Sequence, residues 1–135
     1  VNNQRFYIMK KEIAEKWVAA LRSDEYEQGT HRMVSDEKNP KFCCLAVLAD
    51  IYRKEVSKKP FSMKAIVNLS VNKSNEFPSD KVFAWAGLST NEDGDNSPMV
   101  NTKKYGNVSL ASMNDYRGKS FKYIAKKIEK QWESL

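Results

Sequence analysis

The sequence contains one histidine, two cysteines and no long apolar run. Cys43 and Cys44 are adjacent, and neighbouring cysteines rarely form a disulfide, so both are expected to be reduced thiols in a cytosolic compartment. No segment approaches the ~20 apolar residues that a membrane helix needs, and no charged leader precedes an apolar stretch with a cleavage site. These absences predict a soluble protein that is not secreted and has no membrane partner.

Patterns typical of enzymes and metal sites are also missing. A nucleophilic cysteine needs a base, and the only imidazole is His31 in a polar segment. A zinc site needs about four ligands, which two cysteines and one histidine do not supply. Segment 91–96 is acidic, but its glycine falls between the acids, so a solvated turn explains it better than a calcium loop. We predict no catalytic residue, no metal, no cofactor and a buried structural cysteine pair.

The length of 135 residues and the apolar content of 41% fit one domain with a single core. Met9 is followed at once by a helical pattern, so we predict a globular domain over residues 9–135 and an N-terminal extension over 1–8. The net charge of +6 favours anionic partners.

Apolar spacing predicts an α+β domain that is mostly helical, with a small antiparallel sheet. The sheet is placed at residues 63–71, where Met63, Ala65, Val67, Leu69 and Val71 alternate with polar residues. Residues 23–40 and 89–97 are predicted to be loops. Segment 79–86 fits a short helix that ends at Gly87, although its apolar residues also fit a strand. The other predicted helices are 10–21, 43–54, 110–114 and 121–133.

The last predicted helix is amphipathic, with an apolar face and a basic face. One carries the apolar residues Phe121, Ile124, Ala125, Ile128 and Trp132. The opposite face carries a basic stripe, which is either a solvated surface or a contact for phosphate groups or an acidic protein. The stripe consists of Lys119, Lys122, Lys126 and Lys130.

Five segments carry a recognisable pattern: Trp17 to Ser23, Tyr26 to Gly29, Phe42 to Leu48, Trp85 to Leu88, and Leu110 to Asp115 followed by Gly118 to Ala125. Taken in this order, they resemble a widespread family of small uncharacterised proteins of phages and prophages, and the similarity covers about residues 10 to 132. The chain differs from the usual family pattern at Ala46 and Ala49, where Gly and Cys are common, and at Tyr116-Arg117, which slightly lengthens a turn.

This resemblance implies a phage origin and action in the cytoplasm of an infected bacterium. Because small phage proteins without enzyme motifs often act by binding, the leading hypothesis is a non-catalytic protein that counters bacterial immunity by sequestering a cyclic or ADP-ribose-type nucleotide signal. One alternative is an inhibitor or structural partner of a host or phage protein. Another is weak nucleic-acid binding, and a site shared between two copies of the chain also remains open.

A nucleotide ligand would need cations for its phosphates and aromatic faces for its bases. The candidate ligand-binding residues are Tyr105, Arg117, Lys119, Lys122 and Lys126.

Overall fold

The computed structural model describes residues 8–88 and 98–135. The α-helices are α1 (Lys11–Arg22), α2 (Cys44–Tyr52), α3 (Met63–Val67), α4 (Asp80–Ala86), α5 (Leu110–Asp115) and α6 (Phe121–Gln131). Helix α2 is continued by a π-helical turn at Arg53–Ser57, and helix α6 by a 3-10 turn at Trp132–Ser134. The strands are β1 (Glu27–Gln28), β2 (Val34–Ser35), β3 (Lys41–Phe42), β4 (Met99–Thr102) and β5 (Gly106–Ser109).

The strands form two small sheets. In the first, the central β3 pairs in parallel with β1 and antiparallel with β2. The second is an antiparallel hairpin of β4 and β5, with Val100 opposite Val108. The prediction of a mostly helical α+β fold with a small antiparallel sheet is confirmed.

The predicted position of the sheet is wrong, because residues 63–67 form helix α3. The Ser62 side chain caps this helix by accepting a hydrogen bond from the Ala65 N–H at 3.0 Å. Ile66 and Leu69 are buried, whereas Met63 and Ala65 are partly exposed. Burial therefore follows a spacing of three, and the N-terminal cap decides against the alternation that predicted a strand.

The predicted loop at 23–40 contains two of the strands. Strands β1 and β2 have two residues each, too few to show an alternating pattern in the sequence. They form because β3 offers hydrogen bonds on both sides, and the Gly29 N–H extends the pairing to the Phe42 carbonyl at 2.8 Å. The other predicted loop, 89–97, and the acidic segment within it lie outside the described residues.

Helix α2 is the centre of the core. Every residue from Cys44 to Ile51 is buried, which confirms the prediction that this helix packs on more than one side. Trp17 of α1 is fully buried, and its indole N–H donates to the Cys44 carbonyl at 2.9 Å. This contact joins α1 to the start of α2.

The predicted helix over 79–86 is also confirmed, and it ends at Gly87 with a φ of 80°. A Cβ atom at Gly87 would lie 2.5 Å from the Ile8 carbonyl oxygen, so both the left-handed backbone and this close approach require glycine. The Lys10 N–H donates to the Ala86 carbonyl at 2.9 Å, and Met9 is buried. The predicted extension, apart from Ile8, lies outside the described residues.

Helix α6 positions the β4–β5 hairpin. It packs along α1, where Arg22 binds both carboxylate oxygens of Glu129 at 2.9 and 3.0 Å. Near its end, the Gln131 side chain accepts from the Asn101 N–H at 2.8 Å and donates to the Asn101 carbonyl at 2.9 Å. The hairpin is thereby fixed beside α6. Within residues 8–88 and 98–135, no helix is long and apolar enough to cross a membrane.

Candidate anion-binding surface

Tyr105 and Arg117 form the centre of a partly exposed surface cluster of cationic and aromatic side chains. The Arg117 guanidinium carbon lies 4.1 Å from the centre of the Tyr105 ring, and the Lys104 ammonium lies 5.3 Å from it. The ammonium groups of Lys119 and Lys127 lie 4.7 and 5.6 Å from the Tyr123 ring centre. We call this set the cationic platform; its members are Lys104, Tyr105, Arg117, Lys119, Tyr123 and Lys127.

The hairpin turn supplies Lys104 and Tyr105. Buried Thr102 fixes the turn, because its hydroxyl oxygen accepts from the Tyr105 N–H at 2.9 Å and its hydroxyl donates to the Gly106 carbonyl at 3.0 Å. Gly106 has a φ of 70°, the left-handed conformation that a tight turn needs. These bonds fix the backbone of the turn, which places Tyr105 at the tip of the β4–β5 hairpin.

The loop between α5 and α6 supplies Arg117 and Lys119. The N–H groups of Tyr116 and Arg117 both donate to the Ser112 carbonyl, at 2.8 and 3.0 Å, and the Lys119 N–H donates to Met113 at 3.0 Å. The backbone of this loop is therefore tied to the last turn of α5.

A buried amide network lies beneath the loop. The Asn114 side chain accepts from the Cys44 N–H and from Gln28, and it donates to the Gly29 carbonyl. The Gln28 side chain also donates to the Lys119 carbonyl at 2.9 Å and accepts from the Phe121 N–H at 3.2 Å. Three of the segments that carry the family resemblance meet in this network, which positions the start of α6.

The electrostatics of the platform are strongly positive. Residues 98–135 contain eight Lys and Arg against three Asp and Glu, so they carry +5 of the net charge of +6. Among the described residues, no ion pair involves a member of the platform; the pairs involve Lys16, Arg22, Arg53 and Lys54.

This positive charge acts on the Tyr105 hydroxyl. Its pKa is lowered from the ordinary tyrosine value, mainly by hydrogen bonding with the Lys104 ammonium and by the charge of that group. The charges of Lys119 and Arg117 lower it further. The shift is the response expected of an anionic oxygen placed among uncompensated cations.

The structure brings together three of the five predicted ligand-binding residues. Tyr105, Arg117 and Lys119 belong to the platform, whereas Lys122 and Lys126 are exposed on α6 without a contact to it among the described residues. At about 100° per residue, Lys122 falls on the side of Glu129, which faces α1. Of the predicted stripe, Lys119 is the member for which a contact within the platform is described.

Sequence reasoning missed Lys104, Tyr123 and Lys127. The last two were detectable, because Lys119, Tyr123 and Lys127 are spaced by four and such residues share a helix face. Lys104 was not detectable without the hairpin, since only the pairing of β4 with β5 brings the turn beside residue 117.

The cysteines lie inside the core, so the prediction of a buried pair of free thiols is confirmed. Burial raises the pKa of Cys43 to about 12 and that of Cys44 well above its ordinary value. The Cys44 thiol donates to the Leu110 carbonyl at 3.6 Å. Among residues 8–88 and 98–135, no three His, Cys, Asp or Glu side chains are grouped so that they could hold a metal ion.

A second polar cluster lies at the end of α2, on the wall of a cavity of about 710 Å³. The Tyr26 hydroxyl donates to Asp50 at 2.6 Å, and the Arg53 guanidinium donates to the other oxygen of Asp50 at 2.5 Å. Arg53 also donates to the Lys59 carbonyl at 2.7 Å. We call Tyr26, Asp50 and Arg53 the buried triad; its charges are paired internally, as structural ions require.

Fold and surface together define a small α+β domain with a partly exposed cationic and aromatic platform. The chain belongs to the family described as Domain of unknown function (DUF8296), which matches residues 9–132. Comparison with curated proteins and with solved structures gives no match in either set.

Proposed function

We propose that this protein binds a nucleotide-derived anionic ligand without catalysis, and that the cationic platform holds its phosphate groups. The observation that carries this proposal is the geometry of Arg117, which lies over the Tyr105 ring at 4.1 Å in a cluster of cations without an ion pair among the described residues. The resemblance to phage and prophage proteins supplies the setting, the sequestration of a bacterial immune signal in an infected cell.

The Arg117 guanidinium is suited to phosphate because it is planar and presents several N–H groups in a fixed fork. Its stacking on Tyr105 restrains the side chain, which reduces the entropy that binding would otherwise cost. Lys104 and Lys119 add two further positive charges near the Tyr105 hydroxyl. Together these side chains can neutralise a diphosphate.

The stacking role first assigned to Tyr105 needs revision. One side of its ring is covered by Arg117, with Lys104 close by. We therefore assign Tyr105 to the orientation of Arg117, and the base of the ligand to a neighbouring surface.

Thermal shift and calorimetry with a panel of cyclic dinucleotides and ADP-ribose derivatives test the proposal. We expect at least one to raise the melting temperature and to be recovered chemically intact after denaturation of the complex. Arg117→Ala and Lys119→Ala should each weaken binding about tenfold, because each removes a charge-assisted hydrogen bond. Affinity should fall as salt is raised, since the charges are exposed.

A matched control is the pair Lys64→Ala and Lys81→Ala, which removes the same charge from exposed sites on α3 and α4. Equal losses in the control and in the platform variants would mean that only net charge matters. Recovery of a cleaved ligand would identify an enzyme instead.

The two alternative functions, nucleic-acid binding and inhibition of a protein, predict different results in binding and copurification experiments. Binding of a single-stranded oligonucleotide with a steep salt dependence, without binding of the small nucleotides, would favour a nucleic-acid binder. Indifference to every nucleotide, combined with copurification of a defined bacterial or phage protein, would favour a protein inhibitor.

A further inference from the structure

A cavity of about 400 Å³ lies beside the platform and has a different chemistry. Aromatic rings form part of its wall, and two carboxylates and two hydroxyls lie among them. The lining includes His31, Glu76, Phe77, Ser112, Asp115 and Tyr116. We call it the His31 pocket.

We propose that the protein binds a guanine nucleotide, with the base in the His31 pocket and the phosphates on the cationic platform. This inference rests on the proposed function and deepens it, because it names the base. The inference follows from three observations: an exposed aromatic ring, a fixed carboxylate with one oxygen that accepts no hydrogen bond from the described residues, and the position of the pocket next to Arg117.

The aromatic ring is that of Tyr116, which is 75% exposed, the highest value among the large exposed apolar side chains described. The Tyr116 backbone is fixed by its N–H, which donates to the Ser112 carbonyl, and the ring is positioned by the His31 ring, which lies at right angles to it with centres 4.9 Å apart. An aromatic ring kept in position while most of its surface is open can stack on a base.

The fixed carboxylate is that of Asp115. Its Oδ1 accepts from the His31 N–H at 2.9 Å and from the Asn114 side chain at 2.8 Å. Its Oδ2 accepts no hydrogen bond from the described residues, and Glu76 adds a second carboxylate to the same pocket. Carboxylates accept from N–H groups, and guanine presents two adjacent donors on one edge, whereas uracil presents one.

The pocket and the platform adjoin at Tyr116 and Arg117. These residues are consecutive, so their Cα atoms lie ~3.8 Å apart, and both N–H groups donate to the Ser112 carbonyl. The side chain of the first lines the pocket, and that of the second lies over Tyr105. The pocket and the platform thus adjoin along the chain, and the proposed nucleotide bridges them, with its base in the pocket and its phosphates on the platform.

Calorimetry of the full chain with GDP, ADP, UDP and inorganic pyrophosphate at fixed ionic strength tests this inference. We expect GDP to bind roughly tenfold or more tightly than UDP or pyrophosphate, the discrimination typical of a paired hydrogen bond. Tyr116→Ala and Glu76→Gln should each reduce GDP affinity towards that of UDP and leave pyrophosphate affinity unchanged. Tyr116→Phe should retain GDP binding, because the ring is preserved.

Equal affinities for all four probes would overturn the guanine assignment while leaving phosphate binding by the platform intact. Equal affinities for GDP and ADP, both above UDP, would also overturn it, since the pocket would then recognise only the purine ring that the two bases share. Absence of binding by every probe, pyrophosphate included, would overturn the platform and the pocket together.

Discussion

Tyrosine and arginine come together at two places in this molecule, the buried triad beside the end of α2 and the cationic platform beside the start of α6. In the triad, Asp50 is 4% exposed and accepts from both Tyr26 and Arg53. In the platform, Arg117 lies over Tyr105 and no described carboxylate pairs with it. The same residue types are therefore neutralised by the protein in one region and left for a ligand in the other.

Charge compensation thus separates a structural cluster from a binding surface. Buried ions must be paired, because desolvation costs several kcal/mol for each unpaired ion. Exposed cations need no partner for folding, so their concentration at one surface has to be explained by solubility or by binding. Stability should depend on the triad, and ligand affinity should depend on the platform.

The largest effect is expected from Asp50→Asn. The change leaves the Arg53 guanidinium buried without its counter-ion, so the free energy of unfolding should fall by about 3 kcal/mol. Urea denaturation measures the loss. The control is Asp24→Asn, a carboxylate on the same cavity that is exposed, with an expected change within about 0.5 kcal/mol. Equal effects of the two changes would contradict the distinction drawn for the triad.

A smaller loss of stability is expected from Gln28→Ala. This change links the two regions of the comparison, because the Gln28 side chain is buried in part and its hydrogen bonds position the backbone of the platform. The change removes the acceptor of the Phe121 N–H and the donor to the Lys119 carbonyl. Unsatisfied groups of this kind cost about 1–3 kcal/mol. Ligand affinity should also fall, because the start of α6 loses its anchor, whereas Asp50→Asn should leave affinity unchanged in the folded fraction.

Tyrosine ionisation distinguishes the two regions by pH. Burial and the hydrogen bond to Asp50 raise the pKa of Tyr26, whereas Lys104 lowers that of Tyr105. A raised folded-state pKa contributes stability that is fully present below the unfolded value of about 10 and is lost as the pH rises above it. A lowered one works in the opposite direction, adding stability as the pH passes upward through the folded and then the unfolded value.

Absorbance titration of tyrosinate measures both shifts. Tyr105→Phe should remove an early-ionising tyrosine, and that early ionisation should move to higher pH in concentrated salt. Tyr26→Phe should make unfolding less dependent on pH above about 10. Early ionisation that persists in Tyr105→Phe would show that another tyrosine is responsible.

Much of this fold follows from the sequence, but the platform follows from it only in part. Helices α1, α2 and α6 are long enough for their apolar spacing to be read, and Gly87 marks the end of α4. Strands of two residues carry no periodic signal. The β4–β5 hairpin was not predicted, although its buried residues Val100 and Thr102 are spaced by two, as in a half-buried strand. Without that hairpin, the sequence could indicate Tyr105 and Arg117 separately but could not bring Lys104 to them.

The smallest change in stability is expected from Arg117→Met. This variant most directly tests the difference between the cationic platform and the buried triad. Arg117 is exposed and has no ion pair among the described residues, so its removal should alter the free energy of unfolding by less than about 0.5 kcal/mol. The same change should weaken nucleotide binding about tenfold. Arg53→Met gives the counterpart, with a larger loss of stability, because buried Asp50 then keeps only the longer ion pair with Lys54 at 3.9 Å and the hydrogen bond from Tyr26. If Arg117→Met destabilised the fold as much as Arg53→Met, the stacking on Tyr105 would be structural, and the platform would not be a binding surface.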